Sequence, residues 1–138
     1  MEKLLATVLN EGREIGPALA LRGLLALEKG RLAQAARDAE RGIRLTPKEA
    51  RAYYVRGRVR LEREQSGALE DLAQAAQLSR RRDAAVLHWL AAAQFRAGKT
   101  EEAVATEQEA IKLNGHDPEF QQQLREFQKS MKAVKKAG

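Results

Sequence analysis

Leu21-Arg22-Gly23, Val55-Arg56-Gly57 and Leu90-Ala91 are versions of one short phrase set 34 residues apart. The same beat runs outward from them. Lys29-Gly30-Arg31-Leu32 returns 68 residues later as Ala97-Gly98-Lys99-Thr100, Ala35 recurs as Ala68 and Ala103, and Leu45 as Leu78 and Leu113. A period near 34 marks an array of helical hairpins, each too small to hide its apolar face except against a neighbour.

Composition agrees with helices. The 138 residues are 43% apolar but only 4% aromatic. Alanine and leucine supply most of the apolar count, which suits closely packed helices and not a sheet. With no cysteine there is neither a disulfide framework nor thiolate chemistry. Met1–Leu9 has no basic lead and too short an apolar run for a signal peptide. Nor does any segment approach the roughly 20 apolar residues of a membrane span, so a cytoplasmic protein is expected. The net charge of +6 is uneven: residues 48–82 carry nine bases against five acids, 119–138 five against two, and 83–118 three against six.

The spacing predicts an opening helix through Leu4, Leu5, Val8 and Leu9, then helix pairs at 17–28 with 31–45, 48–63 with 67–79, and 84–97 with 100–113. Gly30 and Gly98 suit the turns inside pairs. Thr46-Pro47-Lys48-Glu49 reads as a capping box opening the helix at 48–63, and Asp117-Pro118 as the start of a last one. That last helix carries Phe120, Leu124, Phe127, Met131 and Val134 in steps of 4, 3, 4 and 3, one apolar stripe fit to cover the end of an array.

These residues resemble the tetratricopeptide repeat family. The first copy shows Leu19, Arg22-Gly23, Gly30, Ala35, Ile43, Leu45 and Pro47. The second shows Tyr53, Arg56-Gly57, Ala68, Leu72, Ala75 and Leu78, and the third Leu87, Leu90-Ala91, Gly98, Ala103, Ala110, Ile111 and Leu113. About 100 of the 138 residues are covered. Three features depart from the family pattern: Gly42 replaces a late alanine, the second turn is a residue short with no glycine at its expected place, and only the first copy closes with proline. The resemblance implies an all-α, right-handed superhelical stack of three hairpins. Its parts are a leading helix at 1–15, repeats at 16–47, 48–82 and 83–116, and a C-terminal capping helix at 117–138.

The copies co-vary in charge. Arg22 is followed by Asp38 and Arg56 by Asp71, whereas the third copy has Leu90 and Thr106. A charge near a packed face needs a partner, so Arg22–Asp38 and Arg56–Asp71 are expected to be structural ion pairs.

Little in the chain points to catalysis. His88 and His116 lie on different elements without a metal-ligand spacing, and there is no Gly-rich phosphate loop, nucleophile elbow or isolated carboxylate pair. No enzyme activity, metal or cofactor is expected.

Repeats of the resembled family instead offer a concave groove lined by the first helix of each pair. Spacing around Gly23, Gly57 and Ala91 puts Ala20, Leu24 and Leu27, then Arg51, Tyr54, Arg58 and Leu61, then His88, Trp89, Ala92 and Phe95 on that face. Trp89 has two readings: an anchor for a partner, or a ring packed beneath the last helix by Phe120 or Phe127. Tyr54 competes with Tyr53 for the inward place. The family's best-known mode clamps a chaperone's carboxylate tail with Lys, Asn and Arg, but the matching positions are Ala20, Leu24, Val55, Ala85 and Trp89. An amphipathic helix or apolar segment with an acid opposite Arg58 suits this face better.

The expected function is thus a protein-interaction adaptor, monomeric or homodimeric. A different class is association with nucleic acid or another anionic surface through Arg80-Arg81-Arg82 and Lys129, Lys132, Lys135 and Lys136. These zones lack aromatic interleaving, and helix-end cations also serve the dipole.

Overall fold

Residues 15–137 are described in a computed structural model of the chain. Among them stand seven helices and no strand: α1 (Ile15–Glu28), α2 (Leu32–Leu45), α3 (Ala50–Glu62), α4 (Ala68–Leu78), α5 (Ala84–Arg96), α6 (Thr100–Leu113) and α7 (Pro118–Ala137). The expected leading helix falls, but for its last residue, outside the described residues. Two compact units divide the chain between Leu78 and Ser79.

In the first unit α1 pairs with α2 and α3 with α4, and the two pairs join through α2 and α1 against α3. The repeated small residues make this possible. A methyl group on Gly57 would stand 2.7 Å from Leu72 Cγ and 3.1 Å from Asp71 Cβ, so α3 meets α4 at a place that has no room for a side chain. At Gly23 the fit is looser, the nearest atom being Asp38 Cβ at 3.3 Å. A methyl group on Gly42, the departure in the first copy, would stand 3.3 Å from the Gly16 carbonyl and 3.5 Å from Ala52 Cβ, a close contact that a shift of a few tenths of an ångström would relieve. Around these contacts Leu19, Val55, Val59 and Leu72 are fully enclosed.

The turns show how the period acts on the backbone. Gly30 and Gly98 adopt φ of +75° and +83°, the left-handed region where a missing Cβ costs least. Midway between them, 34 residues from each, Glu64 takes the same region at φ 55°. The second turn therefore repeats the conformation without the glycine.

One expected feature is absent. Helix α3 begins at Ala50, and Glu49 makes no side-chain capping bond. The capping box fails because Thr46 ends α2 instead, its N–H donating to the Gly42 carbonyl at 2.8 Å. Residues 46–49 then form a turn in which the Glu49 N–H donates to the Thr46 carbonyl at 3.1 Å. Two other starts are capped by side chains: Asp83 accepts from the Ala85 and Val86 amides, and Asp117 from the Glu119 amide.

In the second unit α5 pairs with α6, and α7 lies against α6. Phe120 and Phe127 are buried and Leu124 and Met131 half-buried, so the stripe is covered except at its end, where Val134 is 67% exposed. A 20-residue helix is about 30 Å long and a 14-residue one about 21 Å, so α7 exceeds α6 by roughly six residues.

Candidate binding face

The Arg–Asp positions meet as charged pairs. Arg22 donates from Nε and Nη2 to Asp38 at 2.9 and 2.8 Å, and Arg56 does the same to Asp71 at 3.0 and 2.8 Å. Both carboxylates are buried. Side-chain hydrogen bonding to the aspartate raises each guanidinium above its ordinary pKa, with the aspartate charge adding to it against the opposing effect of burial. A raised basic group contributes its stability fully below its ordinary range and loses it only as pH climbs through the raised value, so this contribution is constant across neutral pH. Asp71 takes a further bond, from Arg60 Nη1 at 2.8 Å; Arg60 was not singled out in the sequence. At the same register of the third hairpin Leu90 and Thr106 are both buried.

On the first unit, one face of α1 and α3 carries Leu24, Arg51, Tyr54 and Arg58. Leu24 and Tyr54 are half-buried and rest on the cluster of Ala26, Leu27, Ala35, Ala39, Val55 and Val59. Arg58 lies one helical turn beyond Tyr54. Its Nη1 donates to the Tyr54 hydroxyl at 3.0 Å, and its guanidinium carbon stands 5.7 Å from the centre of that ring. Arg51 is exposed at the start of α3. The outcome is a cation oriented by a phenol on an apolar bed.

Several residues expected beside them are elsewhere. Ala20, Leu27 and Leu61 are in the core, at 0%, 7% and 7% exposure, and cannot touch a partner. A helical face 100° wide admits residues that straddle its edge, and here packing between hairpins claims them.

In the second unit His88 is corrected most sharply. It is not on a groove wall but buried: Nδ1 stands 2.8 Å from Glu107 Oε2, and the ring stacks on Phe120 with centroids 4.3 Å apart. Phe95 is likewise engaged, stacked on Phe127 at 4.6 Å within the cluster of Ala91 and Ala103. Trp89 is half-buried and meets the His88 ring edge-on at 5.3 Å. The rings of α7 thus seat on His88 and Phe95, the neighbours of Trp89 on α5.

Two residues of this cluster went unnoticed in the sequence. Glu107 has no exposed surface, and Gln123 donates to its Oε2 at 2.6 Å and to the His88 carbonyl at 2.9 Å. The signal for Glu107 was present in the period. Ala39, Leu72 and Glu107 follow the same steps as Ala35, Ala68 and Ala103, so a carboxyl stands where two earlier hairpins bury hydrocarbon.

The basic zones are divided in their contacts. Arg81 forms a two-pronged, half-exposed ion pair with Glu109 at 2.9 and 3.2 Å, while Lys129, Lys132, Lys135 and Lys136 are exposed along α7. Among the described residues no group of three or more His, Asp or Glu is placed to hold a metal ion, and no helix is long and apolar enough to cross a membrane.

Helical hairpins repeated at this period define a helical repeat protein. No family model matches the chain, nor does any curated protein. Solved structures do. The first tetratricopeptide domain of human RPAP3, determined by NMR, is 19% identical with a TM-score of 0.79, covering 92% of this chain and 100% of that one. The first such domain of Spaghetti (RPAP3), bound to the HSP90 peptide SRMEEVD, is 20% identical with a TM-score of 0.74, covering 84% and 94%. YrrB, described as a tetratricopeptide protein with an unusual peptide-binding site, is 20% identical with a TM-score of 0.77, covering 87% of this chain and 62% of its own. The chain has the tetratricopeptide-repeat fold.

Proposed function

We propose that the chain is a non-enzymatic interaction module, an adaptor that holds a peptide or amphipathic helix against the inner faces of its first helices. The observation that carries this reading is the Tyr54–Arg58 pair on its apolar bed beside Leu24. Aromatic and arginine side chains dominate interface energetics, and a guanidinium held in place loses less freedom when it meets a carboxylate. The partner segment is therefore apolar along the face laid on Leu24 and Tyr54, with an acid opposite Arg58 and Arg51. Trp89 supplies an aromatic contact in the second unit. That two of the similar structures are described with a peptide or a peptide-binding site supports the same reading.

The test is a quantitative pull-down comparing the intact chain with an Arg58→Ala/Trp89→Ala variant and with a variant whose four α7 lysines are changed to glutamine. Losing two interface anchors lowers partner recovery by about tenfold or more, and the lysine variant recovers as much as the intact chain. Equal recovery by the Arg58/Trp89 variant refutes the choice of face. Loss confined to the lysine variant transfers the function to the anionic-surface class.

A further inference from the structure

Helix α7 is joined to the hairpin beneath it by a seam whose centre is polar. Phe120, Gln123 and Phe127 are spaced 3 and 4 apart, one stripe of the helix. The two rings stack on His88 and Phe95, and the amide between them donates to Glu107 and to the His88 carbonyl. Glu107 is wholly enclosed, and its bonds to His88 and Gln123 are its means of being there.

A permanent cap has no need of this arrangement. The equivalent positions Ala39 and Leu72 are fully buried hydrocarbon, and replacing a buried polar cluster with well-packed apolar groups is often neutral or stabilising. What a polar centre changes is the cost of separation. When a hydrocarbon seam opens, its whole area meets water; when this one opens, Glu107, His88 and Gln123 regain hydration. Only the end of the stripe is uncovered: Met131 is half-buried, and Val134 is exposed.

We infer that α7 is a releasable strap, and that the face it covers, centred on His88, Phe95 and Glu107, is a second docking site. Its occupant is a partner helix carrying the chemistry this chain's own helix displays there: an aromatic residue, an amide three positions on, and a second aromatic four further. The strap and the partner helix compete for one surface, so the strap sets the apparent affinity. This site is distinct from the Tyr54–Arg58 face and stands or falls separately.

The experiment uses the full chain and a fluorescein-labelled peptide of residues 117–137, with two variants. Gln123→Ala weakens the strap while the peptide keeps its own glutamine. Glu107→Leu/Gln123→Leu seals the seam with hydrocarbon. By hydrogen exchange, the amides of residues 120–130 open faster than those of α5 and α6, and Gln123→Ala speeds them about tenfold or more without changing α5 and α6. In fluorescence anisotropy the Gln123→Ala chain binds the peptide about tenfold more tightly than the unaltered chain, and the Leu/Leu chain binds it more weakly than either. Exchange of α5, α6 and α7 at one common rate in all variants overturns the strap. Failure of both the unaltered and Gln123→Ala chains to take up the peptide overturns the docking site. A concentration-dependent dimer of Gln123→Ala without peptide uptake assigns the face to a second copy and overturns the partner helix.

Discussion

The first hairpin contains a charged pair that the third does without, and a double-mutant cycle measures what that pair contributes. Arg22→Leu and Asp38→Thr copy the residues found at Leu90 and Thr106, both of which are buried, at 2% and 4% exposure. The two single changes are unequal because the partners are unequally buried: the Arg22 side chain is 33% exposed and that of Asp38 6%. Removing Arg22 strands an enclosed carboxylate that loses two charged hydrogen bonds, at a cost of about 3 kcal/mol. Removing Asp38 leaves a guanidinium that turns partly into water, which reduces the cost to about 1.5 kcal/mol. The double variant replaces both by groups of tolerable polarity and loses only about 1 kcal/mol, because its deletion strands no charge. The coupling is thus about 3 to 4 kcal/mol, large for a pair but in keeping with two parallel bonds and one fully buried partner. Urea unfolding followed by circular dichroism at 222 nm reads all four proteins. A loss below about 0.5 kcal/mol for Arg22→Leu, or simple additivity across the cycle, would refute the reasoning.

Other substitutions test the packing and the turns. Gly57→Ala must push its methyl into Leu72 and Asp71, at 2.7 and 3.1 Å, and is expected to cost about 1 to 3 kcal/mol by overpacking. Gly23→Ala, with its nearest neighbour at 3.3 Å, is expected to cost under about 1 kcal/mol; equal urea midpoints for the two would contradict the close approach of α3 and α4. At the second turn, Glu64→Gly relieves a left-handed side-chain residue and raises stability by about 0.5 to 1 kcal/mol. Gly30→Ala moves the first turn the opposite way by a similar amount, and thermal melts sharing one direction for both would show that the turns are not equivalent.

Much of this architecture was legible because the chain supplies its own comparison. Three copies in one sequence expose the small residue needed at Gly23, Gly57 and Ala91, and the joint loss of Arg and Asp at Leu90 and Thr106 ties those positions together before any coordinates are seen. The side that each first helix turns to its neighbours was harder to read. Ala20, Leu27, Leu61 and His88 belong to the expected stripe yet are buried, because tertiary packing decides their direction, for His88 the seating of Phe120 on its ring. Helix α7 repeats nothing, so no internal copy announced that Gln123 would reach Glu107. The capping box at Thr46 failed for a different reason. A short signature there could serve either the end of α2 or the start of α3, and the backbone bond to Gly42 settles it for the former.

The face of α1 and α3 is tested most directly by mapping backbone amide shifts of the full chain by NMR as the recovered partner segment is added. Shifts concentrated around Leu24, Arg51, Tyr54 and Arg58 are the predicted result. A footprint confined to Arg80–Arg82 and Lys129–Lys136, with α1 and α3 unmoved, would contradict a binding module that works through its first helices.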